Sequence, residues 1–363
     1  MQTVLPKNEL VAGLRTVLNV VTARTTLPVI NNVLIEADET GIYLATTDLE
    51  VSIRTRVAAT AAKPGSTTLP AKKLAQIVGS LPEGDVSLET DVNQLTSISC
   101  GKAFFRMVGL DAREFPKEPD FSEEWGFGIK ADELRKALSK VSYSCSVDET
   151  RHVLNGILLS VRGGILTVAA TDGRRLALVE KALEGDSLPD GDVILPQKVV
   201  HELQKSLQGD GEVKVRVSEA RVAFAFGGTA MTSKLVEGTY PNYRQVIPAT
   251  FAHSIAIPRD VFSTVLSRVA MVVSDSSASV KFRLENAQMQ ISATSPEFGE
   301  AKEPIEVSYQ GAPFEISFNP GFFSEPLRSL ECDQVVMQFN DEYSPVSLCG
   351  DEGFLYVVMP MRG

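Results

Sequence analysis

Thr171-Asp172-Gly173-Arg174-Arg175-Leu176-Ala177 is the stretch on which the reading of this chain turns. An apolar run from Ile165 to Ala170 enters it, an Asp-Gly turn signal interrupts, and a second apolar run leaves, the pattern of a β-hairpin. A lone Asp-Gly means only a tight turn. Here the turn also sets two guanidiniums beside apolar strands, which suits the floor of a binding groove, and the pattern recurs on either side of it.

Ala45-Thr46-Thr47-Asp48 and Ser292-Ala293-Thr294-Ser295 match Ala169-Ala170-Thr171-Asp172 at offsets of 124 and 123 residues. A second marker, Leu69-Pro70-Ala71-Lys72, returns as Leu195-Pro196-Gln197-Lys198 and Phe318-Asn319-Pro320-Gly321, at 126 and 123. A third runs Asn8-Glu9-Leu10, Asp132-Glu133-Leu134, Asp260-Val261-Phe262, at 124 and 128, and Phe115-Pro116 and Tyr240-Pro241 stand 125 apart. Markers in one order and one phase indicate triplication. The period exceeds that of solenoid repeats and matches a whole domain. The expected domains are residues 1–120, 121–250 and 251–363, with linkers at 117–125 and 248–253.

Each unit opens with apolar residues at helical spacing: Leu10, Leu14, Val17 and Leu18 after a candidate cap Asn8; Leu134, Ala137, Leu138 and Val141; Phe262, Val265, Leu266 and Val269. Hairpin patterns follow, such as Val33–Ile35 with Ile42–Leu44 and Val280–Leu284 with Met289–Ile291. A second helix follows each Leu-Pro-type marker, and Pro326 is expected to kink or delay the last one. Further strand runs close each unit. The fold class is therefore α+β, two helices on antiparallel sheet in each of three tandem copies.

The chain has 363 residues, 44% hydrophobic and 22% charged, with ample core for three such domains. No signal-peptide pattern and no run of about 18 apolar residues is visible, so no membrane role is expected. Cys100, Cys145, Cys332 and Cys349 share no metal-type spacing and read as free thiols of a reducing cytosol. The net charge of −11 argues against nucleic acid, but its distribution argues the other way. The six helix segments (7–21, 71–80, 130–140, 197–207, 259–271, 320–330) hold 13 Lys and Arg against 6 Asp and Glu; the remainder holds 22 against 40. If those helices share a surface, it is positive and meets phosphates without reading sequence. The alternative is a set of solvated lysine faces.

Catalytic and metal signatures are absent. There is no GxxxxGK[ST], HExxH or complete GxGxxG, and His152, His201 and His253 lack ligand spacing. Asp48 and Asp172 read as turn residues rather than a catalytic pair. No enzyme, metal or cofactor is expected.

Several segments together resemble the bacterial β sliding clamp family, the processivity subunit of DNA polymerase III. They are Arg24-Thr25-Thr26-Leu27-Pro28, Leu154-Asn155-Gly156, the Thr171–Ala177 stretch, Thr232-Ser233-Lys234-Leu235-Val236, Tyr240-Pro241-Asn242-Tyr243-Arg244, and Tyr356 to Arg362. The resemblance spans the chain. It implies three DNA-clamp domains that assemble as a head-to-tail homodimeric ring around double-stranded DNA, helices lining the hole, in the cytoplasm. It implies as further partners the polymerase III catalytic subunit, the clamp loader, and other polymerases and repair proteins. These carry a Gln-Leu-x-Leu-Phe-like peptide that enters a groove between the second and third domains.

By position the groove takes Leu154, Thr171, Gly173, Arg174, Arg175 and Leu176 from one side. Pro241, Gln245 and Val246 come from the linker, and Val357, Val358, Met359, Pro360, Met361 and Arg362 from the chain end. Arg174 stands where the family often has His, and Gln245 where a basic residue is expected. Arg175 and Arg362 are expected to offer donors to the peptide. The DNA-facing candidates are Arg24, Lys72, Lys73, Lys136, Lys140, Lys198 and Lys205. Ring closure is expected to set Phe105 and Met107 against Met271 and Val272 of the partner copy. The competing readings are a triplicated protein–protein adaptor without a DNA role, and a hydrolase or nuclease acting at Asp172.

Overall fold

The repeat is visible in the turns first. Asp172 Oδ1 accepts the N–H groups of Arg174 and Arg175 at 2.8 and 3.0 Å, while Thr171 Oγ1 accepts from Gly173 N and donates to the Arg175 carbonyl. In the first unit Asp48 Oδ1 accepts from Glu50 and Val51, and Thr47 Oγ1 accepts from Leu49 N and donates to the Val51 carbonyl. Ser295 Oγ accepts from Glu297 N in the third. The short side chains hold each turn by supplying the acceptors that strand pairing cannot. Gly173 has φ +86°, and Leu49 takes φ +77° at the same place.

The computed structural model describes residues 1–21, 27–59, 61–117, 121–185, 188–274 and 278–361. In chain order the first repeat gives β1 (Gln2–Pro6), α1 (Lys7–Leu18), β2 (Asn32–Ala37), β3 (Gly41–Thr47), β4 (Val51–Ala58), β5 (Ala61–Lys63), β6 (Gly65–Pro70), α2 (Ala71–Ser80), β7 (Asp85–Thr90), β8 (Leu95–Cys100) and β9 (Ala103–Val108). The second gives β10 (Trp125–Lys130), α3 (Ala131–Val141), β11 (Gly156–Arg162), β12 (Ile165–Thr171), β13 (Arg175–Ala182), β14 (Gly191–Pro196), α4 (Gln197–Ser206), β15 (Glu212–Val217), β16 (Arg221–Phe226) and β17 (Thr229–Lys234). The third gives β18 (His253–Pro258), α5 (Arg259–Val269), β19 (Val280–Glu285), β20 (Gln288–Ser295), β21 (Gly299–Glu306), β22 (Phe314–Phe318), α6 (Gly321–Ser329), β23 (Gln334–Phe339), β24 (Val346–Cys349) and β25 (Phe354–Val358).

Residues 1–133 and 201–235 form one compact unit, and 134–200 and 236–363 another. The first holds a five-stranded sheet, β5-β1-β7-β8-β9, and an eight-stranded sheet, β10-β15-β16-β17-β4-β3-β2-β6. The second holds an eight-stranded sheet, β14-β11-β12-β13-β25-β24-β23-β18, and a four-stranded one, β21-β20-β19-β22. Each eight-stranded sheet is thus joined from two consecutive repeats, by β17 on β4 in one and β25 on β13 in the other. The described pairings are antiparallel throughout, as the alternating patterns require.

Helices lie on these sheets by their apolar stripes. Leu10, Leu14 and Val17 of α1 and Leu74 and Val78 of α2 are buried in the first unit. In the second, Phe262 of α5 and Phe323 of α6 close on Phe282 and Phe318, with ring centroids 4.8 to 5.7 Å apart. Asn8 is not a cap: α1 begins at Lys7, directly after Pro6. Its first N–H is taken by the Gly84 carbonyl, and the same device recurs as Ala131 N to Gly211 O and Arg259 N to Asp333 O. A backbone acceptor from the neighbouring turn removes the need for a side-chain cap. Helix α6 starts at Gly321 and carries Pro326 within it.

Candidate functional site

The hairpin turn is the meeting point of four segments in the second compact unit. Leu176 of β13 pairs with Val357 of β25, and Arg175 with Val358. Beyond β25 the chain stays tied: Met359 N donates to the Arg174 carbonyl at 2.9 Å and Met361 N to the Ser317 carbonyl at 2.8 Å. Pro360, which has no N–H to give, stands between them. From another side Tyr240 Oη accepts from Thr171 N at 3.0 Å, and Arg151 Nη1 donates to the Asp172 carbonyl at 3.1 Å, bringing the Arg151–Asn155 loop and Leu154 to the turn. Burial pushes the Tyr240 phenol up from its ordinary value, so it stays a neutral acceptor.

An apolar depression and an apolar core cluster result. The depression is a cavity of about 330 Å³ lined by Arg174, Asn319, Phe322, Met359, Pro360 and Met361. Met359 and Met361 are each about two-fifths exposed, at 42% and 41%. The cluster is Leu158, Ala169, Leu176, Leu178 and Val357, covered by Tyr240, Tyr243, Ile247 and Leu355, and Pro241, Gln245 and Val246 are exposed on the same linker. Leu176, Val357 and Val358 are buried, so none of them lines an open groove. Asn319 and Phe322 were not among the expected groove residues. Asn319 read only as a repeat marker, and nothing local signals that α6 turns this edge toward the chain end.

Arg175 corrects the expectation that it offers donors to a peptide. Its side chain is only 9% exposed and donates to Asp172 Oδ2 at 3.0 Å, to the Tyr143 carbonyl at 2.6 Å and to Glu325, while its guanidinium lies 4.6 Å from the Phe322 ring centre. Burial, the largest influence, lowers its pKa, but the hydrogen bond and charge of Glu325 together with Tyr356 and Asp172 raise it on balance. Arg175 is a strut joining the turn to α6. Behind it, burial raises the Tyr143 and Tyr356 phenols and lifts the Cys145 thiol to about 11, leaving that thiol inert. Arg362 falls outside the described residues.

Among the DNA-facing candidates, Lys140 is also corrected. It is buried, and its ammonium lies 2.5 Å from Asp351, whose carboxylate also accepts the N–H groups of Glu331 and Cys332. Lys136 pairs with Glu331 at 3.0 Å and Lys205 with Glu202 at 3.3 Å. Lys72 and Lys73 are exposed on α2, Lys198 is half-buried on α4, and Arg24 lies outside the described residues. Of the four closure candidates, Met271 is 76% exposed, Phe105 is exposed and Val272 half-buried. Met107 is 7% exposed and belongs to the core; Phe104 and Val108 are the exposed apolar residues of β9 that the sequence reading missed. Among the described residues no cluster of His, Cys, Asp or Glu is placed to hold a metal, no helix is long and apolar enough to cross a membrane, and all four cysteines are free.

A triplicated α+β chain with shared sheets and a partly exposed apolar groove at its end defines a scaffold of the sliding-clamp class. The family models for the DNA polymerase III beta subunit match in succession: its N-terminal domain over residues 1–119, its central domain over 128–242 and its C-terminal domain over 244–362. The chain is 31% identical over 362 residues to the beta sliding clamp of Chlamydia muridarum, spanning 100% of this chain and 99% of that one. It is 32% identical over 367 residues to that of Escherichia coli K12, with both chains fully covered. The sliding clamp of Pseudomonas aeruginosa, solved bound to griselimycin, superposes with a TM-score of 0.96 at 32% identity over the whole of both chains. The chain belongs to the DNA polymerase III beta-subunit family, and its function is that of a DNA sliding clamp for polymerase processivity.

Proposed function

We propose that two copies of this chain close head to tail into a ring around duplex DNA. In this reading the protein has no catalytic role, works in the cytoplasm, and takes Gln-Leu-x-Leu-Phe-like peptides of the polymerase III catalytic subunit, the clamp loader and other polymerases and repair proteins at the groove. Its domains are residues 1–120, 121–250 and 251–363. One observation carries the ring. Both eight-stranded sheets are joined by repeat-equivalent strands: the strand after the Thr-Asp turn (β4, β13) meets the last strand of the next repeat (β17, β25). The remaining members of that series, β21 after the Ser295 turn and β9 at the end of the first repeat, both lie at sheet edges. Pairing β21 with the β9 of a second copy repeats the same joint and covers two edges that would otherwise invite aggregation. Glu300 and Glu306 on β21 and Arg106 on β9 suit that union.

Sedimentation at micromolar concentration tests the reading. Twice the 39.3 kDa chain mass is expected, and Met271→Glu or Phe105→Glu should shift the protein toward monomer with its melting temperature otherwise kept. A wild-type monomer overturns the ring.

A further inference from the structure

The outer face of the first unit's eight-stranded sheet is positively charged, in a chain whose net charge is −11. On its four adjacent strands β15, β16, β17 and β4, the residues pointing away from the core include Lys214, Arg216, Arg221, Lys234, Arg54 and Arg56, against one carboxylate, Glu212. Arg54 also reaches Glu36 at 3.0 Å and lies 4.3 Å over the Tyr43 ring. Arg221 and Lys234 stand directly opposite each other, a like-charge pair of a kind that costs stability. Between the cations the floor is made of small residues. Along one row Lys214 neighbours Ala225, Ala225 neighbours Ala230, and Ala230 neighbours Arg54. The trough has a volume of about 400 Å³ and ends at the Gly227-Gly228 turn; Arg54 and Lys214 are the cations that line it, Glu212 is its one carboxylate, and Tyr43, Phe226 and Thr229 complete the lining, with the other cations on the face around it.

The second unit provides the control. By register, Lys214, Arg54 and Arg56 correspond to Val336, Leu178 and Glu180, and the equivalent four strands present no Lys or Arg on that face. There the chain's own linker covers the surface: Tyr243 and Ile247 sit on the apolar cluster, and Arg244 pairs with Glu180 at 3.0 Å. The same sheet face therefore takes a segment of polypeptide whose chemistry complements it. In the first unit Phe121 of the linker reaches Arg216, at 5.3 Å, while Lys214, Ala230 and Arg56 are exposed.

We propose that this trough is a second docking surface, distinct from the chain-end groove, and that its occupant is an acidic polypeptide segment of a partner protein. Charge complementarity selects the occupant. The walls β4 and β15 are three strands apart, roughly 14 Å at the usual inter-strand spacing, which admits a single helix or extended segment over a floor of alanine and glycine. Single-stranded nucleic acid is disfavoured because the Tyr43 ring is covered by Arg54 and is not a bare platform for stacking bases.

The test is fluorescence anisotropy of the full-length protein with a labelled Ala/Glu helical peptide, its Ala/Gln analogue and oligo(dT), at low and high salt. The Ala/Glu peptide should bind in a salt-sensitive way, and Arg54→Glu with Lys214→Glu should weaken it about tenfold or more, since two attractive contacts become repulsive. Ala230→Leu, which fills the floor without changing charge, should also weaken it, while Lys281→Glu on the four-stranded sheet should not. Matching melting temperatures confirm folding. No binding of the Ala/Glu peptide, equal binding by the double variant, or an equal loss with Lys281→Glu would overturn the proposal. Oligo(dT) binding in preference to the peptide, lost in the double variant, would overturn it in favour of single-stranded nucleic acid.

Discussion

Arg175 shows what a single residue does at this site and where sequence reading stops. Its donors are spent on Asp172, Glu325 and the Tyr143 carbonyl, so in the proposed groove it would act on a peptide only through the turn and α6 that it holds. Arg175→Ala should destabilise the protein by about 3–5 kcal/mol, the range for breaking a buried ion pair and leaving its partner charged. Peptide affinity should fall with it. Glu325→Ala should cost less, because that carboxylate is 40% exposed and water can take over. Unchanged stability with lost peptide binding would mean that Arg175 touches the peptide after all. Lys140 makes a parallel case. Burial raises the Asp351 pKa, but the Lys140 ammonium and two backbone N–H groups bring it below the ordinary carboxylate value. Since the folded value is depressed, the pair's contribution is complete above the unfolded carboxylate pKa of about 3.9 and is lost as pH falls through the folded value. Lys140→Met should therefore move the acid limb of the stability profile to higher pH, measured as unfolding midpoint against pH; an unmoved limb would detach Asp351 from Lys140. Neither partnership is legible in sequence. Glu325 lies 150 positions from Arg175, and the Asp351 turn reads locally as any other.

At the scale of elements, far more is legible. The Thr-Asp turns announce themselves because their side chains must satisfy backbone groups within a few residues, so the constraint is local. The helices follow from apolar spacing, with ends that differ by at most three residues, as in α1, which stops at Leu18; at its start a backbone carbonyl replaces the expected Asn8 cap. Strand faces are harder at a sheet edge. Phe104, Phe105 and Val108 are all exposed on β9 while Met107 is buried, because a strand with one neighbour need not bury every apolar side chain within its own chain. Met359 and Met361, after β25, are partly exposed, and on the proposed groove reading a docked peptide covers them. A peptide burying one Leu and one Phe there gains roughly 3–6 kcal/mol gross, which after ordering costs corresponds to affinity of about micromolar order. Removing residues 359–363 should abolish binding of a Gln-Leu-x-Leu-Phe peptide and leave the dimer mass unchanged. Retained peptide binding would take the groove away from the chain end, and loss of the dimer would make the segment structural.

For the whole molecule, the charge separation along the chain becomes a statement about how a ring holds DNA. The six described helices carry more Lys and Arg than Asp and Glu, but Lys140 is locked in a buried pair and Lys136 is shared with Glu331, so the effective positive set is smaller than the sequence count. Lys72, Lys73, Lys198 and Lys205, the last half-exposed in its pair with Glu202, are the phosphate contacts to test. A closed ring is retained by topology, so each contact contributes little to retention and mainly sets how the ring is centred and how salt affects its loading. Single substitutions of these lysines by Gln should leave loading near the wild-type level. The fourfold variant should weaken it and flatten the dependence of log affinity on log salt, by about 0.9 for every phosphate contact removed. On nicked circular DNA the loaded variant should still persist, and on linear DNA both it and the wild type should slide off, because neither result depends on charge. Undiminished loading and an unchanged salt slope in the fourfold variant would show that these helices do not face the duplex, whatever the ring encloses.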